Sequence, residues 1–200
     1  MKTTIKPGFA AFVLLMSASC TKESIHNPVP VSAQQEYNAS IEKDSFYIGQ
    51  YYGGGIIFFL DNTKHHGLIA ATADLEYIRN PWFHGHYKVT GATSKSDGMS
   101  NTEKIVNVQG DSGKYAALKC AEYTGEGYTD WYLPSKQELN RLYQQKDIVG
   151  GFADESPSKP YWSSTEYDFA NAWCQFFDTG LQRINSKANV FSYVRPIRAF

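Results

Sequence analysis

Short apolar runs separated by turn-forming residues characterise the chain just beyond residue 45. Residues 56–60 read Ile-Ile-Phe-Phe-Leu, a β-branched and aromatic run that predicts a buried strand. Asp61-Asn62 ends this run as a turn, and residues 68–71 predict its partner strand. The pattern therefore indicates an opening β-hairpin. Gly53-Gly54-Gly55 before it lacks the Gly-Lys-Ser/Thr continuation of a phosphate-binding loop.

The next segment, residues 74–111, shows no apolar period and predicts irregular structure. Asp111 or Ser112 then offers a cap for a helix. The small residues of this helix fall at steps of three and four and share one face, which allows close approach to a sheet. They are Ala116, Ala117, Cys120 and Ala121.

A second helix is predicted directly after Pro134. Ser135 and Glu138 have the spacing of a capping box, in which each side chain binds the other residue's backbone N–H. Leu139, Leu142 and Tyr143 continue at helical spacing.

The last third returns to strands. Residues 161–165 and 172–177 are β-prone, and 182–185 can pair back across the turn that follows residue 177. Residues 191–197 close the domain, with Pro196 favouring an edge or a bulge. Strands, then two helices, then strands predict an α+β fold with mostly antiparallel sheets.

The N-terminal residues 1–19 have the order of a secretory signal peptide: a basic start, a short apolar run and the small residues Ser17-Ala18-Ser19. Cys20 follows directly, and residues 15–20 resemble a bacterial lipobox of the kind that Bacteroidetes-like bacteria tolerate. The resemblance implies that Cys20 carries lipid, palmitate included. The alternative is an ordinary signal peptide with an incidental cysteine.

Residues 20–45 are polar and contain prolines, so they predict a lipidated cysteine followed by a flexible tether. More than one acyl chain is needed for stable anchoring. The lipobox resemblance therefore implies a stable lipid anchor. Thr21 stands where inner-membrane lipoproteins carry a retention aspartate, which favours the outer membrane and leaves open which leaflet is exposed. The compact domain is expected over residues 46–200.

Composition narrows the function classes. A formal net charge of −1 provides no general attraction to nucleic acid. Aromatic residues make up 15% of the chain, which favours a carbohydrate or protein ligand because rings give large contact area at low entropy cost. In an oxidising compartment Cys120 and Cys174 could form a disulfide or stay free.

Four short sequence motifs occur in order along the chain. Together they resemble the DUF1566 family, also called the Lcl C-terminal domain family. They are Gly54–Leu60, Gly127–Leu139, Tyr161–Glu166 and Val194–Phe200. The resemblance spans roughly residues 50–200. It implies a C-type lectin-like variant with two helices, a long irregular loop region and roles in surface attachment, including the binding of sulfated glycans.

Two departures from the family limit what the resemblance carries over. Many members pair a cysteine of the first helix with one in the closing strand, where this chain has Pro196 and Ile197. Cys120 therefore lacks the expected partner. This chain also lacks Glu-Pro-Asn and Trp-Asn-Asp, the calcium-binding motifs of sugar-binding C-type lectins.

The candidate ligand-binding residues lie on the predicted turn 167–171 and the strand after it. Loops held on a rigid sheet are where binding residues concentrate, although an ordinary solvated turn remains the alternative. Trp82, in an aromatic stretch, is added to this set. The candidates are Trp82, Asp168, Asn171, Trp173 and Gln175.

No metal site, cofactor or catalytic motif is predicted. His84 and His86 would share a face of an extended segment, but a closed metal site needs more ligands than these two. The leading hypothesis is a lipid-anchored protein that binds a glycan or a protein and has no enzymatic activity. The alternatives are a structural adaptor of a surface complex and an enzyme acting on envelope polysaccharide, which would need paired carboxylates such as Asp168 and Asp178.

Overall fold

The computed structural model describes residues 45–75, 80–153 and 159–200, all of which belong to one compact unit, Lys43–Phe200. The predicted signal peptide, Cys20 and the tether as far as residue 44 lie outside the described residues. Within the described residues, the architecture is α+β with two antiparallel sheets and four α-helices, so the predicted fold class is confirmed.

The first sheet contains the predicted opening hairpin. Its strands are hydrogen-bonded in the order β1-β2-β3-β7, and every pairing is antiparallel. A bulge interrupts β2 between Ile57 and Phe59. The closing strand therefore lies beside the hairpin formed near the start of the domain. The four strands are β1 (Tyr51–Tyr52), β2 (Gly55–Leu60), β3 (Gly67–Ala70) and β7 (Ile197–Ala199).

The triple glycine has a structural explanation. Gly53 and Gly54 form the two-residue turn between β1 and β2 with φ of 55° and 86°, a conformation that disfavours any side chain. Gly55 follows in β2, where a Cβ atom would collide with the backbone oxygen of Ala70. The three glycines thus fix a tight hairpin against its neighbouring strand.

The second sheet, β4-β5-β6, confirms the strands predicted for the last third. Its strands are β4 (Pro160–Glu166), β5 (Asn171–Phe176) and β6 (Gln182–Ser186). The prediction for residues 191–197 is wrong in extent. Only Ile197 of that range belongs to a strand, while Tyr193 forms an isolated parallel bridge to Tyr161.

The helices differ in number from the two that the family resemblance implied. They are α1 (Gly98–Gln109), α2 (Ala116–Ala121), α3 (Lys136–Gln144) and α4 (Lys146–Val149), with a 3-10 turn at Gly125–Gly127. α2 begins later than predicted, because Ala116 N donates to Pro81 O and no side chain caps the helix. The predicted capping box of α3 is confirmed: Ser135 Oγ accepts from Glu138 N, and Glu138 accepts from Ser135 N.

Helix α1 lies inside the segment predicted to be irregular, and that prediction is wrong. Polar residues take the inward positions that apolar residues usually hold, so no apolar period marks the helix. Asn101 is fully buried and binds the backbone N–H and C=O of Ser94. Thr102 accepts from Leu133 N at 3.1 Å. Asp97 caps the first turn through Ser100 N.

Buried aromatic and ionic groups tie the two sheets and the helices together. Trp162 is fully buried and donates to Asn80 O at 2.8 Å. Arg195 is 1% exposed, and its guanidinium binds Asp74 at 2.8 Å and Ala71 O at 2.9 Å. The two family motifs that contain Trp162 and Arg195 therefore contribute buried side chains to the interior of this domain.

Candidate functional site

The loop between β4 and β5 is a tight turn held by its own polar groups. Tyr167 N and Asp168 N both donate to Asn171 O. Asp168 Oδ1 accepts from Ala170 N and Asn171 N at 2.8 Å each, and from Asn171 Nδ2 at 2.9 Å. Asp168 and Asn171 were predicted as ligand contacts, and the structure shows that they bind each other and shape the loop.

The pKa of the Asp168 carboxyl group reflects these hydrogen bonds within the turn. Desolvation raises the pKa of Asp168, but the hydrogen bonds from Ala170 and Asn171 outweigh it and hold that pKa below its usual value. Asp168 is therefore kept ionised as a fixed acceptor within the turn.

Two pairs of aromatic rings meet at this loop. Tyr167 is 52% exposed and contacts Trp173 edge-on, with centroids 5.7 Å apart. Phe169 is 56% exposed and lies 5.7 Å from Tyr87. We call Tyr87, Tyr167, Phe169 and Trp173 the ring surface. The exposed parts of Tyr167 and Phe169 offer apolar ring surface to a ligand.

A buried ion pair, which we call the Glu166–Lys187 clip, fixes the base of the ring surface. Lys187 Nζ lies 2.6 Å from Glu166 Oε1, and both side chains are almost fully buried. Lys187 also donates to Phe169 O at 3.0 Å and to Lys88 O at 3.2 Å. Glu166 in turn accepts from Thr90 N at 2.9 Å. The clip thereby joins the loop that carries Phe169 to the segment before α1.

Lys136 lies beside Trp173, and the charge of Lys95 is close enough to affect Lys136. Lys136 Nζ is 3.3 Å from the Trp173 ring centroid, a cation–π contact. Burial of the ammonium group and, second, repulsion from Lys95 lower the pKa of Lys136. Neither lysine has an ion-pair partner among the described residues. This edge of the ring surface therefore carries the charge of Lys136, which forms no ion pair among the described residues.

Two predicted ligand contacts are wrong, because their side chains have no exposed surface. Trp82 is 0% exposed and donates from Nε1 to Ser163 O at 2.8 Å. Gln175 is 0% exposed and binds Asn140 Oδ1 and Gly180 O. Trp82 packs in the core, and Gln175 secures the sheet against α3. Trp173, by contrast, is half-buried and belongs to the ring surface.

Sequence reasoning missed the two lysines and the clip. Glu166 lies within one of the family motifs, which indicated that it is important but did not indicate what it binds. Lys187 carried no signal, since a fully buried lysine is rare and is recognised only by its partners. Lys95 is 41 residues from Lys136 along the chain, and only the fold brings their charges within range of each other.

Among the described residues, the cysteines and histidines form neither a disulfide nor a metal-binding cluster. Cys120 and Cys174 are both buried and free. Burial raises the pKa of the Cys174 thiol to about 12. Residues 45–75, 80–153 and 159–200 hold no group of three or more histidine, cysteine or acidic side chains that could bind a metal ion.

The comparison with known families decides the identity of this domain. A family model for the Lcl C-terminal domain matches residues 78–198, more than half of the chain. The chain belongs to the Lcl C-terminal domain family. The match includes α1 through α4, the second sheet and the ring surface, and it begins after the opening hairpin. The predicted family is therefore confirmed over a narrower range than residues 50–200, while the lipoprotein setting stays a prediction.

No curated protein matches the chain. In the part of the chain that the structure describes, none of the helices is long and apolar enough to cross a bilayer.

Proposed function

We propose that this Lcl C-terminal domain protein is a surface-associated recognition protein that binds an acidic glycan at the ring surface. The observation that carries the proposal is the pair of half-exposed rings, Tyr167 and Phe169, on a loop that the Glu166–Lys187 clip holds rigid. A preformed site avoids the entropy cost of ordering a loop on binding. Membership of the Lcl family, with its expected role in surface attachment, supports the proposal that the protein acts in recognition at a surface.

The chemistry of the ring surface supports a sugar rather than a purely apolar ligand. Exposed rings can stack on the apolar face of a pyranose. Lys95 and Lys136, without an ion-pair partner in the described part of the chain, can neutralise a sulfate or carboxylate group. Asp168 and Asn171 hold the turn and keep the rings in place.

The binding test uses the purified protein on an array of sulfated, carboxylated and neutral glycans. Phe169→Ala and Tyr167→Ala should each weaken binding about five-fold or more, as truncation of a stacking residue costs roughly 1 kcal/mol or above. Phe191→Ala is the matched control, because Phe191 is 63% exposed but lies in a different groove. Equal binding by all three variants, or no binding to any glycan, would remove the proposal.

The charge test distinguishes an acidic from a neutral sugar. Lys95→Gln and Lys136→Gln should weaken binding to a sulfated glycan and reduce its dependence on salt. Desulfated forms of the same glycan should bind the variants and the unaltered protein alike. A preference for the neutral form would show that the lysines do not contact the ligand.

The anchor and the absence of catalysis belong to the same proposal. Lipid on Cys20 would hold the domain at the outer membrane, so Cys20→Ala should release the protein from the membrane fraction and abolish palmitate labelling. Binding without turnover is supported by the two carboxylates considered for catalysis, since Asp168 and Asp178 both bind groups of their own loops. Hydrolysis of any bound glycan would contradict the non-enzymatic assignment.

The structural adaptor remains the second candidate function, and one observation favours it. Strand β1 lies at the edge of the first sheet and exposes Tyr51 by 56% and Tyr52 by 41%, next to Tyr47 at 64%. An exposed edge strand with large rings is a common protein-docking feature. Co-purification of a stoichiometric partner that Tyr51→Ser releases, together with no glycan binding, would favour the adaptor.

A further inference from the structure

A groove of about 490 Å³ runs between helix α1 and residues 121–132, away from the ring surface residues. One face of α1 forms its first wall, because the contributing positions follow steps of three and one along the helix. Ala121 and residues 129–132 form the opposite wall. The volume falls in the range of about 300–1,000 Å³ that is typical of ligand sites. The residues of the α1 wall are Met99, Thr102, Glu103, Val106 and Asn107.

The walls of this groove combine apolar surface with negative charge. Met99, which is 40% exposed, Val106 and Ala121 supply the apolar part. Glu103 and Asp130 supply carboxylates, and no lysine or arginine of the described residues lines the groove. Asp130 is paired with Arg198, whereas Glu103 has no ion-pair partner in the described ranges. The groove therefore favours a ligand with an aliphatic stem and a cationic head.

A second groove of about 400 Å³ lies next to the first one. The two grooves share Met99 and Tyr132 in their walls. The second adds the carboxylates of Asp61 and Asp97, with Arg141 and one histidine opposing them. We call the two adjacent grooves the acidic cleft, because acidic side chains outnumber basic ones in their walls. Two neighbouring grooves suit an extended chain better than a compact molecule.

The indole of Trp131 adds an independent observation. Trp131 lines the first groove and is 2% exposed, and its Nε1 has no hydrogen-bond partner among the described residues. An unpaired buried N–H costs about 1–3 kcal/mol. A peptide carbonyl could supply the missing acceptor after a small shift of the wall, and Met99 is the kind of flexible, unbranched side chain that permits one.

We propose that this acidic cleft is a second binding site, and that it takes an extended basic segment of a protein partner. An arginine or lysine side chain enters the groove beside α1, with its stem on Met99 and Val106 and its charge near Glu103. A backbone carbonyl of the same segment accepts from Trp131. The proposal does not depend on the glycan site, since the ring surface residues do not line this cleft.

The test is an NMR titration of the purified protein with the peptide acetyl-Gly-Arg-Gly-amide. The matched probes replace arginine by norleucine, which keeps the stem without the charge, and by glutamate, which reverses the charge. The arginine peptide should shift the Trp131 indole resonance and the backbone resonances of Met99 and Glu103. Neither matched probe should do so at the same concentration.

Two variants separate recognition from general attraction of charge. Glu103→Gln should weaken binding of the arginine peptide about two- to five-fold, as expected for one exposed ion pair. Asp147→Asn removes an exposed carboxylate on α4, outside the cleft, and should leave binding unchanged. Both variants change exposed residues, so unaltered spectra elsewhere establish that they fold. Absence of shifts at the α1 groove, equal shifts with norleucine, or equal effects of the two variants would overturn the proposal.

Discussion

Replacing Lys187 by methionine tests the structural basis of the ring surface. Methionine keeps the length and apolar stem of lysine but removes the charge that satisfies Glu166. The ammonium group is 0% exposed, lies 2.6 Å from Glu166 Oε1 and 4.7 Å from the centroid of the Trp82 ring, and holds the backbone oxygens of Phe169 and Lys88. Its removal therefore leaves one buried carboxylate and two carbonyl groups without this donor.

The magnitude follows from the burial of the pair. Breaking a buried ion pair by removing one partner costs about 3–5 kcal/mol, because the remaining charge is left uncompensated. For a domain of this size, each kcal/mol lowers the melting temperature by roughly 2–4 °C, so a decrease of about 6–20 °C is expected. The residual hydrogen bonds from Thr90 and Gly91 to Glu166 favour the lower half of that range.

The assay is the free energy of unfolding from urea denaturation, compared with the unaltered protein. Lys104→Met is the control, since Lys104 is an exposed lysine on α1, and it should change stability by less than about 0.5 kcal/mol. Adding Glu166→Gln to Lys187→Met should restore part of the loss, because an amide costs less to bury than a carboxylate. A loss below about 1 kcal/mol for Lys187→Met, or a further loss in the double variant, would refute the reasoning.

Three further predictions concern other buried or paired groups. Hydrogen bonding to Arg198 lowers the pKa of Asp130, so this pair stabilises the protein at neutral pH, and its contribution declines as pH falls below about 4. Asp130→Asn should therefore cost about 1 kcal/mol at pH 7 in urea denaturation, and progressively less as the pH is lowered below about 4. Burial raises the pKa of Glu138, so the folded state binds the carboxyl proton more tightly than the unfolded state does. The free energy of unfolding, measured relative to Glu138→Gln, should therefore fall as pH rises above about 4.5. A difference between the two proteins that does not change with pH would contradict this. Cys120 and Cys174 are buried and free, so a thiol reagent should not label them in the folded protein, and a reductant should leave the melting temperature unchanged.

The predictions that held rest on contacts between residues close in the chain. The capping box of Ser135 and Glu138 spans three residues, and the β5–β6 hairpin closes across a short turn. These elements can be predicted from the local sequence, because the residues that contact each other are a fixed, short distance apart along the chain. The strand Gly55–Leu60 was predicted for the same reason, because its apolar run is bounded by turn residues on both sides.

The predictions that failed concern groups whose partners are distant in sequence. Helix α1 buries Asn101 and Thr102, whose partners Ser164 and Leu133 lie 63 and 31 residues away along the chain. These partners explain why polar side chains face inward. Trp82 was predicted as a ligand contact because it lies in an aromatic stretch, yet Ser163, 81 residues away, accepts its N–H in the interior. Local patterning cannot report a hydrogen bond that forms only after the chain has folded.

By itself, the sequence determined the family, the α+β class, most of the strands and the loop on which exposed rings lie. Only the tertiary structure decided that Asp168 and Asn171 bind each other and that Lys187 binds the backbone of the loop. It also decided that Lys136 packs on Trp173 within range of the charge of Lys95. The physical reason is that secondary structure depends on periodicity and caps within a few residues. Burial, charge balance and exposure depend on which distant segments come to lie against each side chain.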